Sequence, residues 1–154
     1  MRIIETKLEE LGLKLPPAPT PAGNYVTAVR TGNLIYLSGV LAIKDGAITH
    51  EGPVGDKQTV ETAYEAARVC ILNGLANLKT AAGGLDKVRR IVFVTGYVYA
   101  VEGFADSPRV IDGASDLLGE IFGEKGRHAR AAVAVNGLPK KSAVELQLVV
   151  EVED

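Results

Sequence analysis

Arg130 and Glu145 are the pair of side chains in this sequence best suited to act on a small molecule. Each falls in a segment of alternating apolar residues, Ala129–Val135 and Ser142–Glu153, that reads as a strand. In the second segment Val144, Leu146, Leu148, Val150 and Val152 form one apolar face, so Glu145 belongs to the other. In the first, Arg130 shares a face with Ala132, Ala134 and Asn136. Arg130 and Glu145 are both expected to point away from the helices that cover the sheet. An arginine in a recess holds a carboxylate through its planar fork, and small neighbours such as Ala132 and Ala134 leave room for a ligand. A solvated surface pair is the plain alternative.

Other reactive types are scarce. The single cysteine, Cys70, lies at the flank of a helical apolar stripe and is expected to pack rather than react. His128 precedes Arg130 by two residues at a strand entrance and is read as a surface or hinge residue, with lining of a cleft as the alternative. His50 sits by a loop with no evident partner. One cysteine and two histidines leave little material for a zinc site, and no metal is expected. Gly83-Gly84 stops a helix; no Lys-Ser/Thr follows to make a phosphate loop. Lys87, Arg89 and Arg90 read as a solvated edge.

The chain that must position these groups has 154 residues, 47% hydrophobic and 23% charged, with net charge −2. This composition excludes disorder as the main state and gives no bulk attraction to nucleic acid or anionic membrane. No apolar stretch is long enough to span a bilayer, no signal peptide is evident at the start, and a lone cysteine suits a reducing cytoplasm.

One domain is expected over 1–154: an N-terminal helix with a proline-rich extension (1–22) and a core (23–154). Ile3, Ile4, Leu8 and Leu11 recur at helical spacing, with Gly12 as a stop. Leu15 to Gly23 carries four prolines and reads as an extended connector. Strands are expected at Tyr25–Arg30, Leu34–Leu37, Val40–Lys44 and Ala47–His50, the last two around the hairpin signal Asp45-Gly46. Thr59–Ala82 is the longest helical pattern; a second helix runs from Ser107 to Phe122 with Pro108 in its first turn. The order predicts an α+β domain, two main helices over one face of one sheet.

The strand Val88–Tyr99 is apolar on both faces, with Val88, Val92, Val94 and Val98 on one and Ile91, Phe93, Tyr97 and Tyr99 on the other. Two helices cover only one side. A second copy of the chain is the economical cover for the other, the N-terminal segment being the alternative.

Three stretches carry a family likeness. Gly23 to Gly39 contains Tyr25 and Ser38-Gly39; Asn73 to Gly83 closes the long helix; Ala129-Arg130 is followed by Leu138-Pro139 and Val144-Glu145-Leu146. Together they resemble the motifs of the YjgF/Rid family, also called L-PSP endoribonuclease-like, over roughly residues 20–152. The resemblance implies a chorismate-mutase-like fold with a mixed sheet and a homotrimer with clefts between subunits. It implies hydrolysis of 2-imino acids or their enamine tautomers to 2-keto acids and ammonia, with no cofactor. Arg130 would grip the substrate carboxylate, Glu145 would position the water, and Tyr25, Ser38 and Gly39 would line the cleft. Two cleft positions depart from the family pattern: Ala132 stands where a cysteine is usual, and Asp112 falls near an asparagine. A carboxylate at 112 would repel an anionic substrate. A non-catalytic metabolite-binding or regulatory trimer is the alternative. A ribonuclease has less support, because the chain lacks tryptophan, is net negative and shows no histidine pair for acid–base work.

Overall fold

The computed structural model describes residues 2–154. Helix α1 (Ile3–Glu10) leads through the extended proline segment into five short strands: β1 (Ala28–Thr31), β2 (Leu34–Leu37), β3 (Val40–Leu41), β4 (Ile43–Lys44) and β5 (Ala47–Ile48). Then follow α2 (Val60–Ala82), β6 (Val88–Tyr99), α3 (Ser107–Phe122), β7 (Ala129–Val135) and β8 (Val144–Val152). The main sheet runs β1-β2-β8-β6-β7, with β3 also on β8. Only β6 and β7 pair in parallel, joined by the α3 crossover, so the sheet is mixed. The architecture is the expected α+β arrangement. The first expected strand is shorter, and Tyr25 stands ahead of it.

Local chemistry accounts for the elements. Asp45 and Gly46 both take left-handed dihedrals (φ 53° and 79°), as a two-residue hairpin between β4 and β5 requires. Thr59 caps α2 by accepting from the Thr62 amide, while the Thr62 hydroxyl accepts from the Thr59 amide. Gly83 ends α2 in the left-handed region. The helix α1 docks by its N-terminus: the Ile3 and Ile4 amides donate to the Asp86 carboxylate at 3.0 and 2.9 Å.

Both long helices lie on one face of the sheet. Helix α2 packs on β8 and fully buries Ile71, Leu75 and Leu78, while α3 packs on β6 and β7 and fully buries Ile111, Leu117 and Leu118. Burying each such side chain stabilises by about 1.5–3 kcal/mol. The helices cross closely at Gly113, where a Cβ would come within 2.9 Å of the Tyr64 carbonyl carbon. Cys70 is fully buried, its Sγ 3.5 Å from the Val144 carbonyl, and burial pushes its thiol well up, so packing is its role. Lys87, Arg89 and Arg90 are exposed, as expected of a solvated edge.

Two sheet expectations need correction. Strict alternation along β6 put Val92 on one face with Val88, Val94 and Val98, and Ile91 on the other with Phe93, Tyr97 and Tyr99. Register shifts against β8 between Val88 and Arg90 and between Ile91 and Phe93 add residues to β6, so Val88, Ile91 and Val94 are the buried set and Val92 is half-exposed. The second correction concerns β7. Arg130 pairs with Val94, which is buried under the helices. Neighbours in register point to the same side, so Arg130 faces the helix layer rather than away from it.

The opposite face carries no helix. Val29, Tyr36, Val149, Phe93 and Ala129 form one row across it by register, and Tyr97 with Val133 another. Val29, Tyr36 and Val133 remain 57%, 48% and 46% exposed. The N-terminal segment does not cover this face: α1 packs against α3 and the turn after α2.

Candidate functional site

Arg130 sits on the outer strand β7 and reaches across to α3. Its Nη1 lies 2.9 Å from Asp112 Oδ1 and donates to Ser115 Oγ at 3.0 Å; its Nη2 donates to the Pro108 carbonyl at 3.0 Å. The three acceptors follow from helical spacing: Pro108 opens α3, and Asp112 and Ser115 come one and two turns later on the same side. Ser115 Oγ is also 2.9 Å from His128 Nε2, and His128 Nδ1 is 2.7 Å from the Gly126 carbonyl. A carbonyl only accepts, so Nδ1 carries a proton and donates to it. A neutral ring then accepts the Ser115 hydroxyl proton on Nε2. The chain of donors runs from Arg130 through Ser115 to His128 and ends on the Gly126 carbonyl as acceptor. His128 is therefore a half-buried partner in the Arg130 network rather than a surface residue.

Glu145 belongs to a different place. It pairs with Tyr97 of β6 and Leu41 of β3, on the face without helices. Its carboxyl is half-buried, and burial raises its pKa above the usual carboxylate range. Among the described residues it has no hydrogen-bond donor. The carboxyl lies over the Cα of Gly39: a Cβ there would come within 3.0 Å of Cδ and 3.3 Å of Cγ, and nearer still to Oε2. Ser38 and Gly39 form the gap where the chain leaves β2 before resuming beside β8 as β3. Ser38 Oγ donates to the Val26 carbonyl at 2.7 Å, tying the stretch that carries Tyr25 alongside. Tyr25 is 49% exposed and its hydroxyl accepts from the Ala22 amide at 3.3 Å.

The residues singled out from sequence thus fall into two groups. Arg130 and Asp112 meet on the helix side of the sheet at β7. Ser38, Gly39 and Glu145, with Tyr25 nearby, gather at the β2–β3 break on the other face. Ala132 is half-buried and packs against the core, so it does not open a recess on the outer face; the small residues exposed there are Ala129 and Ala131. Sequence reasoning missed Ser115, though its i+3 spacing from Asp112 was a usable signal. It also missed Asn73, whose Nδ2 donates to the Leu41 and Ile43 carbonyls at 3.0 and 2.8 Å and pins the β3–β4 stretch to α2. His50, which had no evident partner, lies with Nδ1 2.7 Å from Thr49 Oγ1. On α2, the Tyr64 hydroxyl donates to Asp116 Oδ2 at 2.6 Å, and this bond pushes the phenol up to about 12. No cluster of three His, Cys, Asp or Glu able to hold a metal occurs among the described residues, and no helix among them is long and apolar enough to cross a membrane.

The fold matches a known class: a mixed sheet under two helices. A family model described as "YjgF/chorismate mutase-like, putative endoribonuclease" matches residues 5–152, and the chain belongs to that family. Protein TCP17 of Trypanosoma cruzi is 40% identical over 152 residues, 98% of this chain and 95% of its own. The 2-iminobutanoate/2-iminopropanoate deaminase of Dermatophagoides farinae is 28% identical over 145 residues, covering 92% and 95%. The crystal structure of Atu1372 from Agrobacterium tumefaciens, a protein of unknown function, superposes with a TM-score of 0.91 at 42% identity, covering 99% of this chain and 93% of that one.

Proposed function

We propose that this chain hydrolyses reactive 2-imino acids or their enamine tautomers to 2-keto acids and ammonia, in clefts formed between copies of itself in a homotrimer. One observation carries the reading. Arg130 and Glu145 lie on opposite faces of one sheet, so a cleft using both takes Arg130 from one copy and Glu145 from another. The uncovered apolar face bearing Val29, Tyr36, Phe93 and Val133 supplies the surface for that association. The mite relative bears the name of an imine deaminase, which supports the activity proposed.

The chemistry needs little apparatus. A protonated imine is already electrophilic at carbon. Arg130 holds the substrate carboxylate, and Glu145 of a second copy accepts a proton from water as its oxygen attacks that carbon. The carbon–oxygen bond forms and the C=N π pair moves to nitrogen, giving a carbinolamine. The proton held by Glu145 passes to nitrogen; the hydroxyl then gives its proton to the freed Glu145 carboxylate as its oxygen's electron pair forms C=O, the carbon–nitrogen bond breaks with its pair going to nitrogen, and ammonia leaves the keto acid. A carboxyl with a raised pKa suits both halves of this transfer, and orientation of water and imine supplies much of the rest.

The test generates 2-iminopropionate or 2-iminobutyrate with an amino-acid oxidase or dehydratase and follows its loss with and without the protein. Faster loss that disappears in Arg130→Ala is the expected result. Loss at the buffer rate with well-folded protein refutes the activity. A second reading, a metabolite-binding trimer without catalysis, draws on Asp112, which already occupies the anchor. It predicts binding of keto or amino acids with no turnover. Cleavage of single-stranded RNA by the same preparation would instead favour the nuclease description.

A further inference from the structure

Asp112 gives the anchor a charge preference that a bare arginine lacks. Arg130 Nη1 forms an ion pair with Asp112 Oδ1 at 2.9 Å and donates to Ser115 Oγ at 3.0 Å, and Nη2 donates to the Pro108 carbonyl at 3.0 Å. The pair is half-shielded, with side-chain exposures of 24% for Arg130 and 49% for Asp112. Its net charge is zero. A ligand carboxylate therefore either shares the guanidinium with Asp112 or displaces it, and in both cases two carboxylates stand beside one cation. A second positive charge on the ligand relieves this. We propose that Asp112 makes the site selective for zwitterionic ligands, an α-iminium or α-ammonium carboxylate, over the keto-acid anion of the same skeleton.

The geometry follows from connectivity. The carbon that bears nitrogen is bonded directly to the carboxylate carbon. When the carboxylate rests on Arg130, a cationic nitrogen on that carbon falls within a few ångström of Asp112. The keto acid places a neutral oxygen in the same position and keeps its net negative charge. The substrate of the proposed reaction is the zwitterion and the product is the anion, so Asp112 favours binding of one and release of the other. Asp112 is then a specificity-determining residue. The proposal rests on the reading that Arg130 takes the ligand's carboxylate; it does not require that the chain turn substrate over.

Two non-reacting probes test it: 2-aminobutanoate, a zwitterion, and 2-oxobutanoate, an anion, titrated at pH 7 into the full-length assembled protein by calorimetry. The wild type is expected to prefer the amino acid. Asp112→Asn, nearly isosteric on a half-exposed helix surface, should tighten 2-oxobutanoate and weaken 2-aminobutanoate, shifting their ratio about tenfold, the size of one partly screened charge interaction at close range. Asp112→Glu restores the charge and should restore the preference, which a merely structural role would not predict. Arg130→Ala should lose both ligands. An unchanged ratio in Asp112→Asn overturns the proposal while leaving the anchor reading intact. Failure of both probes to bind the wild type, or binding of both by Arg130→Ala, overturns proposal and anchor reading together. A protein that hydrolyses no imine yet shows the shifted ratio upholds the proposal and refutes the deaminase reading.

Discussion

Adding one methyl group at Gly39 tests how the Glu145 carboxyl is held. The Cβ of Gly39→Ala would stand 3.0 Å from Glu145 Cδ and 3.3 Å from Cγ, with Oε2 closer still. Carbon pairs are comfortable at about 3.5–4.0 Å, so the carboxyl must retreat by roughly 1 Å. Gly39 does not have a positive φ, so the substitution brings no backbone strain of its own. Glu145 is a flexible side chain at a partly open site, and rotation about its own bonds accommodates the methyl. The expected cost to stability is below about 1 kcal/mol, that of a tolerated surface change. The cost to chemistry is larger, because a misplacement of about 1 Å in a positioned group removes on the order of 10²-fold in rate. Two measurements read the result. Imine hydrolysis by Gly39→Ala should fall about 100-fold in kcat/KM with an almost unchanged Tm. The Glu145 carboxyl, followed by carbon NMR, should titrate lower than in the wild type, because the displaced group reaches more water. A variant with wild-type rate and wild-type Glu145 titration would refute the argument that Gly39 makes room for the carboxyl.

Other expectations follow from the same geometry. Arg130→Ala should raise KM and lower kcat together, a loss of ~10–100-fold in kcat/KM if the contact is worth about 1.5–3 kcal/mol, measured by steady-state kinetics. Glu145→Gln should lower kcat more than it changes KM. It should also alter stability with a definite sign. Burial raises the folded-state pKa of Glu145, so between the ordinary and the raised value the folded state binds more protons and stability falls as pH rises. Glu145→Gln should therefore flatten the Tm profile across that window and match or exceed the wild-type Tm above it. For Tyr64, raised to about 12 by Asp116, the folded state keeps a proton the unfolded chain has lost. Stability attributable to this bond is present below the ordinary phenol range and declines as pH climbs to about 12; Tyr64→Phe should remove one late-titrating phenol from the ultraviolet absorbance curve. Sedimentation equilibrium should give a trimer at micromolar concentration, and a stable monomer would remove the basis for a cleft between copies.

The elements were legible because their local signals agree with one another. Thr59 and Gly83 mark both ends of α2, Pro108 sits in the first turn of α3, and Asp45-Gly46 makes its hairpin where the pattern placed it. The two sheet corrections share one cause: they concern which way a strand residue faces. A period-2 reading assumes an unbroken ladder. The irregularities of β6 change the count between Val88 and Phe93, and nothing in Arg89-Arg90-Ile91-Val92 announces them. For β7 the side chains carry too little information, since Ala129, Ala131, Ala132 and Ala134 suit either face. The face is decided by parallel register with β6, a property of the whole sheet.

That register also explains why the two chemical groups can belong to one site only if more than one copy builds it. In a single copy, β8 and β7 flank β6, and the β6 residues beside Glu145 and Arg130 are Tyr97 and Val94. Three steps along a strand invert the face, so the two side chains leave opposite sides of the sheet. No rotamer change brings them together through a packed layer of Val94, Leu146 and Leu148. Association through the uncovered face would bring the β2–β3 break of one copy toward the outer strand of another, where Arg130 waits on Asp112 rather than on water. An anchor already paired loses less on desolvation than a bare guanidinium would. On the proposal made above, the Asp112 contact that pairs Arg130 before a ligand arrives is also the one that sets the charge the ligand must carry.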